Sequence, residues 1–183
     1  MKEIKRCPWL NLENDLYKKY HDLEWGVPVY LDKKIFEFLV LESFQAGLSW
    51  QIILNKRENF RKAFANFDFK KVAKFGKKEV SKLLKDSGIV RNKLKIEATI
   101  QNAKSFLEVR SEFGTFSKYM WSFVGGKPVV HKLKTLKDYP EYTKESEIFA
   151  KDLKKRGFKF LGPKVVYAHM QAVGMVNDHV LTC

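Results

Sequence analysis

The only two cysteines in this chain, Cys7 and Cys183, stand near its opposite ends, and each has a histidine close by in sequence. His21 follows Cys7 by 14 positions, and His179 precedes Cys183 by four. Two thiolates and two imidazoles complete a tetrahedral shell for zinc and leave no coordination position open for a substrate. A closed site of that kind is structural, and it predicts a fold whose first and last segments meet. The same cysteines could instead pair as a disulfide, which suits an oxidising compartment. The opening Met1-Lys2-Glu3-Ile4-Lys5-Arg6 has no apolar signal core, which favours the metal.

Between those ends the apolar residues recur at helical spacing almost throughout. Ile35, Phe36 and Leu39 begin a run that reaches Leu54, with a break expected near Gly47. A short helix is predicted around Val80–Leu84 and a longer one over Leu94–Leu107, starting near Asn92. Helical spacing continues over Phe116–Phe123, Ile148–Leu153 and Val165–Val173. Gly125-Gly126-Lys127-Pro128 reads as a turn, and strand-like alternation appears only around Val129–Leu133. The expected fold is mainly α, a single domain over 1–183 with two lobes around a cleft.

With 45% hydrophobic residues and 14% aromatics, a chain of 183 residues can bury a substantial core. Apolar runs are too short to span a bilayer, since Phe38-Leu39-Val40-Leu41 meets Glu42 at once. A soluble, cytoplasmic protein without a membrane partner is expected. The formal charge of +14, from 35 Lys and Arg against 21 Asp and Glu, favours a polyanionic partner, nucleic acid first. Any one lysine cluster, such as Lys70–Lys85, is better explained as a solvated helix face.

One junction makes the nucleic-acid reading more specific. Asp86-Ser87-Gly88-Ile89-Val90-Arg91-Asn92-Lys93 joins two predicted helices, with Gly88 expected in a left-handed turn. Free amides at the start of the second helix would meet a phosphate, assisted by Arg91, Lys93 and Lys95. This is a helix-hairpin-helix arrangement, expected near 78–105.

Glu42 is the least expected residue, because a carboxylic acid in a core helix is costly unless paired. Gln45, Ser49 and Trp50 follow it. Tyr17 and Tyr20 share a helix face leading to His21, and Trp9 and Trp25 flank them. Flat aromatic walls around one acidic group suit a cationic heterocycle, a charged purine above all. The competing explanation puts Glu42 on a wet helix face and the aromatics in an ordinary core.

The segments Tyr20-His21-Asp22-Leu23-Glu24-Trp25-Gly26-Val27-Pro28 and Leu41-Glu42-Ser43-Phe44-Gln45-Ala46-Gly47-Leu48-Ser49-Trp50 resemble the bacterial 3-methyladenine DNA glycosylase I family. The likeness continues, in order, through Lys56–Asn59, Gly88–Arg91, Trp121–Val124, Lys154–Phe160, Met170–Ala172 and Val176–His179. It implies a helix-hairpin-helix glycosylase that excises 3-methyladenine from alkylated double-stranded DNA by base flipping, acting as a monomer. The resemblance implies Glu42 as the residue that recognises the base. Tyr20 and Trp50 would stack on it, and Tyr17 and Trp9 would complete the wall. It implies that Gly47 and Leu48 press into the base stack, and that Gly88, Ile89, Arg91 and Lys93 grip phosphate. It also implies structural zinc on Cys7, His21, His179 and Cys183. Two departures stand out. The family's small polar residue before Met170-Gln171-Ala172 is here Ala168-His169, and no aspartate matches the water-activating one of other helix-hairpin-helix glycosylases.

Overall fold

The computed structural model describes residues 5–183. The first four residues of the opening segment read above for a signal core therefore lie outside the described residues. Among the described residues no helix is long and apolar enough to cross a membrane. The order of α-helices is α1 Asp15–Leu23, α2 Asp32–Gln45, α3 Trp50–Ala63, α4 Phe69–Val72, α5 Lys77–Lys85, α6 Lys93–Phe113, α7 Phe116–Ser122, α8 Lys144–Lys155 and α9 Pro163–Ala172.

Helix α2 lies at the centre. Every residue from Ile35 to Phe44 is buried, Glu37, Glu42 and Ser43 included. A helix apolar all round must be enclosed on all sides, and α3, α6, α7 and α9 pack against this one. The predicted run from Ile35 to Leu54 is therefore two helices, parted at Ala46–Ser49. Gly47 takes φ +83° there, and Ser49 restarts the chain by accepting the Ile52 amide on its hydroxyl.

The predicted 80–84, 94–107, 116–123, 148–153 and 165–173 segments correspond to α5, α6, α7, α8 and α9. Helix α6 runs six residues beyond the predicted end. The 129–133 segment supplies a two-residue strand, β1 Val129–Val130, paired in parallel with β2 Val176–Asn177. Its partner had no alternation to betray it, because two residues carry no period. The same alignment continues to a bridge between Leu133 and Val180. This ladder carries the last eight residues back to the body of the protein, which is how His179 and Cys183 reach the first segment.

Expectation and structure differ at Gly88. It is not left-handed; the glycine is required because a Cβ there would lie 2.9 Å from Asp86 Oδ1 and 3.0 Å from the Asn59 side chain. Close approach of α3 to the hairpin, not turn geometry, selects it.

A pair of buried ion contacts locks α1 to α2 and α3. Arg57 donates to both Glu24 carboxylate oxygens at 2.8 Å and to Glu37 Oε1 at 2.7 Å. Burial opposes ionisation of Glu24, but the hydrogen bonds and charge of Arg57 outweigh it and hold the Glu24 pKa down at about 2. The Val27–Val29 segment is then pinned to the end of α9, where Gly26 N–H donates to Gln171 O and Val29 N–H to Val173 O.

Gly174 (φ +69°) sits at this contact, and a Cβ there would lie 2.3 Å from the Val27 carbonyl carbon. Gly126 has φ +78° but open space around it. Urea unfolding should show Gly126→Ala costing about 1 kcal/mol, the backbone penalty alone, and Gly174→Ala costing more than about 3 kcal/mol. Equal losses would mean that the close approach does not matter.

Candidate active site

Glu42 lies in the last turn of α2. Its residue is 4% exposed, and its carboxyl makes no hydrogen bond or ion pair with another described residue. Burial alone raises its pKa from an ordinary 4.5 to about 8. The wet-face explanation is thereby excluded.

The acid opens onto a cavity of about 360 Å³, lined by Trp9, Tyr17, Tyr20, Trp25, Glu42, Gln45, Trp50, Leu136, Tyr139, Ala168 and Gln171. That is a volume for one small planar ligand. Helix α1 places Tyr17 and Tyr20 on one face, with ring centroids 6.5 Å apart. Tyr20 meets Trp50, the first residue of α3, at 5.2 Å. Trp9 packs on Tyr17 at 5.6 Å and on Trp25 at 4.8 Å. All five residues foreseen for the base pocket, Glu42, Tyr20, Trp50, Tyr17 and Trp9, thus share a single cavity.

Burial, and then the nearby Glu42 carboxylate, raise the pKa values of Tyr17 and Tyr20, so both phenols stay neutral. The Nε1–H groups of Trp9 and Trp50 and the Tyr139 hydroxyl are buried without a hydrogen-bond partner. Buried donors are normally satisfied, so a site with several open ones is built to receive a ligand or ordered water.

Leu136, Tyr139, Ala168 and Gln171 were not anticipated as lining residues. Leu136 and Tyr139 come from an irregular stretch without periodicity, which leaves no signal in one sequence. Gln171 is fixed by Asp178, whose buried carboxylate accepts its side-chain N–H at 2.6 Å and the Tyr167 hydroxyl. Asp178 Oδ1 also lies 2.7 Å from His131 Nδ1. With three partners Asp178 is not a free base for water. At the first departure from the family pattern, Ala168 lines the cavity, whereas His169 does not. That imidazole is 2% exposed with both ring nitrogens unpartnered, and burial lowers its pKa to about 3.

Against the cavity lies the cysteine–histidine group. The ligand atoms of Cys7, His21, His179 and Cys183 fall within 4.8 Å of one another, and the cysteines are not bonded together. Both imidazoles are held through Nδ1. His21 Nδ1 meets Asp22 Oδ1 at 2.8 Å, and His179 Nδ1 donates to Asn177 Oδ1 at 2.8 Å. Arg6 in turn anchors Asp22 through Nε and Nη2. Such outer contacts fix the tautomer and leave Nε2 as the ligating atom. The donor set and spacing fit a tetrahedral zinc ion. Trp25 borders both this group and the cavity.

The residues foreseen for DNA contact divide into three kinds. Gly47 and Leu48 are exposed at the α2–α3 turn, Leu48 being 36% exposed. Arg91 and Lys93 are exposed at the start of α6. Ile89 is 3% exposed and its amide donates to Asp86 O at 3.4 Å, so it belongs to the core. The Gly88 amide is already bonded to Asp86 Oδ1 at 2.8 Å. Among the described residues, the amides of Val90, Arg91, Lys93 and Leu94 make no protein hydrogen bond. These are the open donors of the hairpin.

The Glu42 pKa carries a stability consequence. Because its folded value lies above the unfolded one, the protonated acid favours the folded state below pH 4.5, and that advantage is lost as pH rises to about 8. Glu42→Gln removes the titration while keeping the shape. Its stability relative to the parent should therefore grow between those two pH values, by on the order of 3 kcal/mol. Parallel unfolding curves for the two proteins across that window would place the carboxyl in water.

A family model described as methyladenine glycosylase matches residues 9–183. The chain is 46% identical to DNA-3-methyladenine glycosylase 1 of Escherichia coli (strain K12), over 98% of this chain and 96% of that one. It is 44% identical to DNA-3-methyladenine glycosylase of Haemophilus influenzae, over 97% and 96%. A crystal structure of 3-methyladenine DNA glycosylase I superposes with a TM-score of 0.95 at 44% identity, covering 98% of each chain. A tyrosine-to-phenylalanine variant of such an enzyme, solved in complex with 3-methyladenine, superposes at 0.94 with 36% identity, over 98% and 96%. By sequence along its whole described length and by fold, this chain belongs to the methyladenine glycosylase family.

Proposed function

We infer that this protein is a DNA-3-methyladenine glycosylase acting in base-excision repair, hydrolysing the N-glycosidic bond between a methylated adenine and its sugar. The observation that carries the reading is Glu42, a buried acid without a counter-charge, walled by Tyr20, Trp50, Tyr17 and Trp9. A neutral purine gives that acid nothing to offset its desolvation, so it stays protonated. A base made cationic by methylation supplies the missing charge, and the carboxylate that forms then accepts hydrogen bonds from it. The aromatic faces add stacking and cation–π attraction of about 1–3 kcal/mol per ring. Discrimination thus comes from charge, in a pocket that a normal adenine can enter but not neutralise.

Methylation also makes the base a good leaving group, so the protein's main work is to extract the nucleotide and hold it. In this reading Leu48 and Gly47 take the place of the extruded base in the duplex. The open amides around Arg91 and Lys93, presented by the turn at Gly88 and Ile89, bind phosphate. Water completes the hydrolysis and leaves free 3-methyladenine and an abasic site. The only described lysine that is buried, Lys95, does not line the cavity, which supports a monofunctional reaction without a covalent intermediate.

Zinc on Cys7, His21, His179 and Cys183 would be structural, joining the termini beside the pocket, and closed coordination gives it no part in the reaction. The single domain of 1–183, a monomeric state and a cytoplasmic location complete the proposal.

Incubating the protein with methylated duplex DNA and separating released bases by chromatography tests the activity. Free 3-methyladenine is expected, with Glu42→Gln at least about 10-fold slower than the parent. A variant that excises at the parental rate would remove Glu42 from recognition. Exhaustive chelation should lower the melting temperature by several degrees, roughly the shift that 1–2 kcal/mol produces in a chain of this size. An unchanged melting temperature in verified metal-free protein would exclude a structural zinc.

A further inference from the structure

Lys95, which is buried, and Lys56, which is half-buried, tie the hairpin to α2 and α3 on either side of the 46–49 turn. Lys95, in the first turn of α6, is 7% exposed. Its ammonium donates to Phe44 O at 2.8 Å and to Ala46 O at 2.6 Å. Both carbonyls belong to the C-terminal end of α2, which carries no basic residue of its own in its last turn. The last carbonyls of a helix lack partners and gather negative potential, so a cation there satisfies both needs. The hairpin's second helix therefore caps the helix that carries Glu42.

Lys56, on α3, closes the loop in the other direction. Its ammonium donates to Ser87 O at 3.1 Å and Gly88 O at 3.4 Å, in the turn between α5 and α6. The 46–49 turn sits between these two fastenings along the chain. Its own support is slight: the Leu48 amide donates to Gln45 O, the Gln45 side chain donates to Leu48 O, and nothing lies within 4 Å of where a Gly47 Cβ would be.

We propose that Lys95, with Lys56 as its support, is a positioning residue. It fixes the turn that enters the DNA stack relative to the hairpin that holds the backbone, so that backbone binding and base extrusion occur in one register. The proposal rests on the assignment of the 47–48 turn and the hairpin to DNA given above. It separates the lysines of α6 into two kinds: Lys93 faces solvent and belongs to the phosphate surface, whereas Lys95 has its charge fully used within the protein. Burial accordingly lowers the Lys95 pKa. Loss of Lys95 should leave the base pocket and the electrostatic contact with DNA intact and impair only their coordination.

The test compares Lys95→Met, Leu48→Ala and the double variant in the full chain. Three quantities are read: single-turnover excision from methylated duplex, affinity for free 3-methyladenine, and the salt dependence of binding to undamaged duplex. Lys95→Met is expected to slow excision about 10-fold, with free-base affinity and salt slope unchanged. Its effect should not add to that of Leu48→Ala, because both act through the same turn. Additive losses, or a salt slope reduced by about one, would overturn the proposal, the latter by making Lys95 a phosphate contact. A parallel loss of free-base affinity would overturn it too, by placing the damage in the pocket. Should Lys95→Met fail to fold, Lys56→Met is measured in the same cycle with the same expectations. If Leu48→Ala excises normally, the assignment of the turn fails first and the positioning role falls with it.

Discussion

A carboxylic acid at the heart of the most enclosed helix has to be held there by everything around it. Glu42 has no cation to pair with, and its burial alone moves its pKa to about 8. Such a group would normally be eliminated or partnered, since an unpaired buried charge is among the costliest features a fold can carry. The surrounding structure can be read as what makes that tolerable. Apolar packing on α2 excludes water, and the Arg57 bridge fastens α1 and α3 on either side. The aromatic wall leaves a slot where a positive charge is missing.

Charge inside this protein is handled in two opposite ways. Arg57 is satisfied so fully by Glu24 and Glu37 that it serves only as a fastener. Lys95 is used up by carbonyls in the same sense. Glu42 is left without a partner among the described residues. The contrast matters because a satisfied buried ion contributes rigidity and specificity of packing, whereas an unsatisfied one contributes affinity for whatever completes it. The same polypeptide therefore builds a stiff frame and a charge-selective pocket from one set of ionisable side chains.

The helical class, the break at Gly47 and the convergence of the two chain ends were legible in the sequence, because each rests on local spacing or on rare residues. Glu42 was legible as an oddity: a polar residue between Leu41 and Phe44 breaks a pattern strong enough to make it visible. Leu136 and Tyr139 were not, since they come from a stretch after β1 that has no period to read, and Gln171 sits on a foreseen helix without any local sign of facing the pocket. Gly88 was legible as necessary but for the wrong reason. A glycine that admits a neighbouring helix and a glycine that allows a left-handed turn look alike in one sequence. Only the position of Asn59 tells them apart.

The placement of the cysteine–histidine group acquires a meaning from Trp25, which borders both that group and the cavity. Trp9 lies two residues from Cys7, and Tyr17 and Tyr20 precede His21 on the same helix. A large part of the aromatic wall is thus built on residues 9–25, a stretch whose described helix is α1. A metal held by Cys7, His21, His179 and Cys183 would fasten that segment to the C-terminal ladder and limit where Trp9 and Trp25 can stand. A closed shell of four protein ligands would hold the wall in place without offering a competing site for water or base.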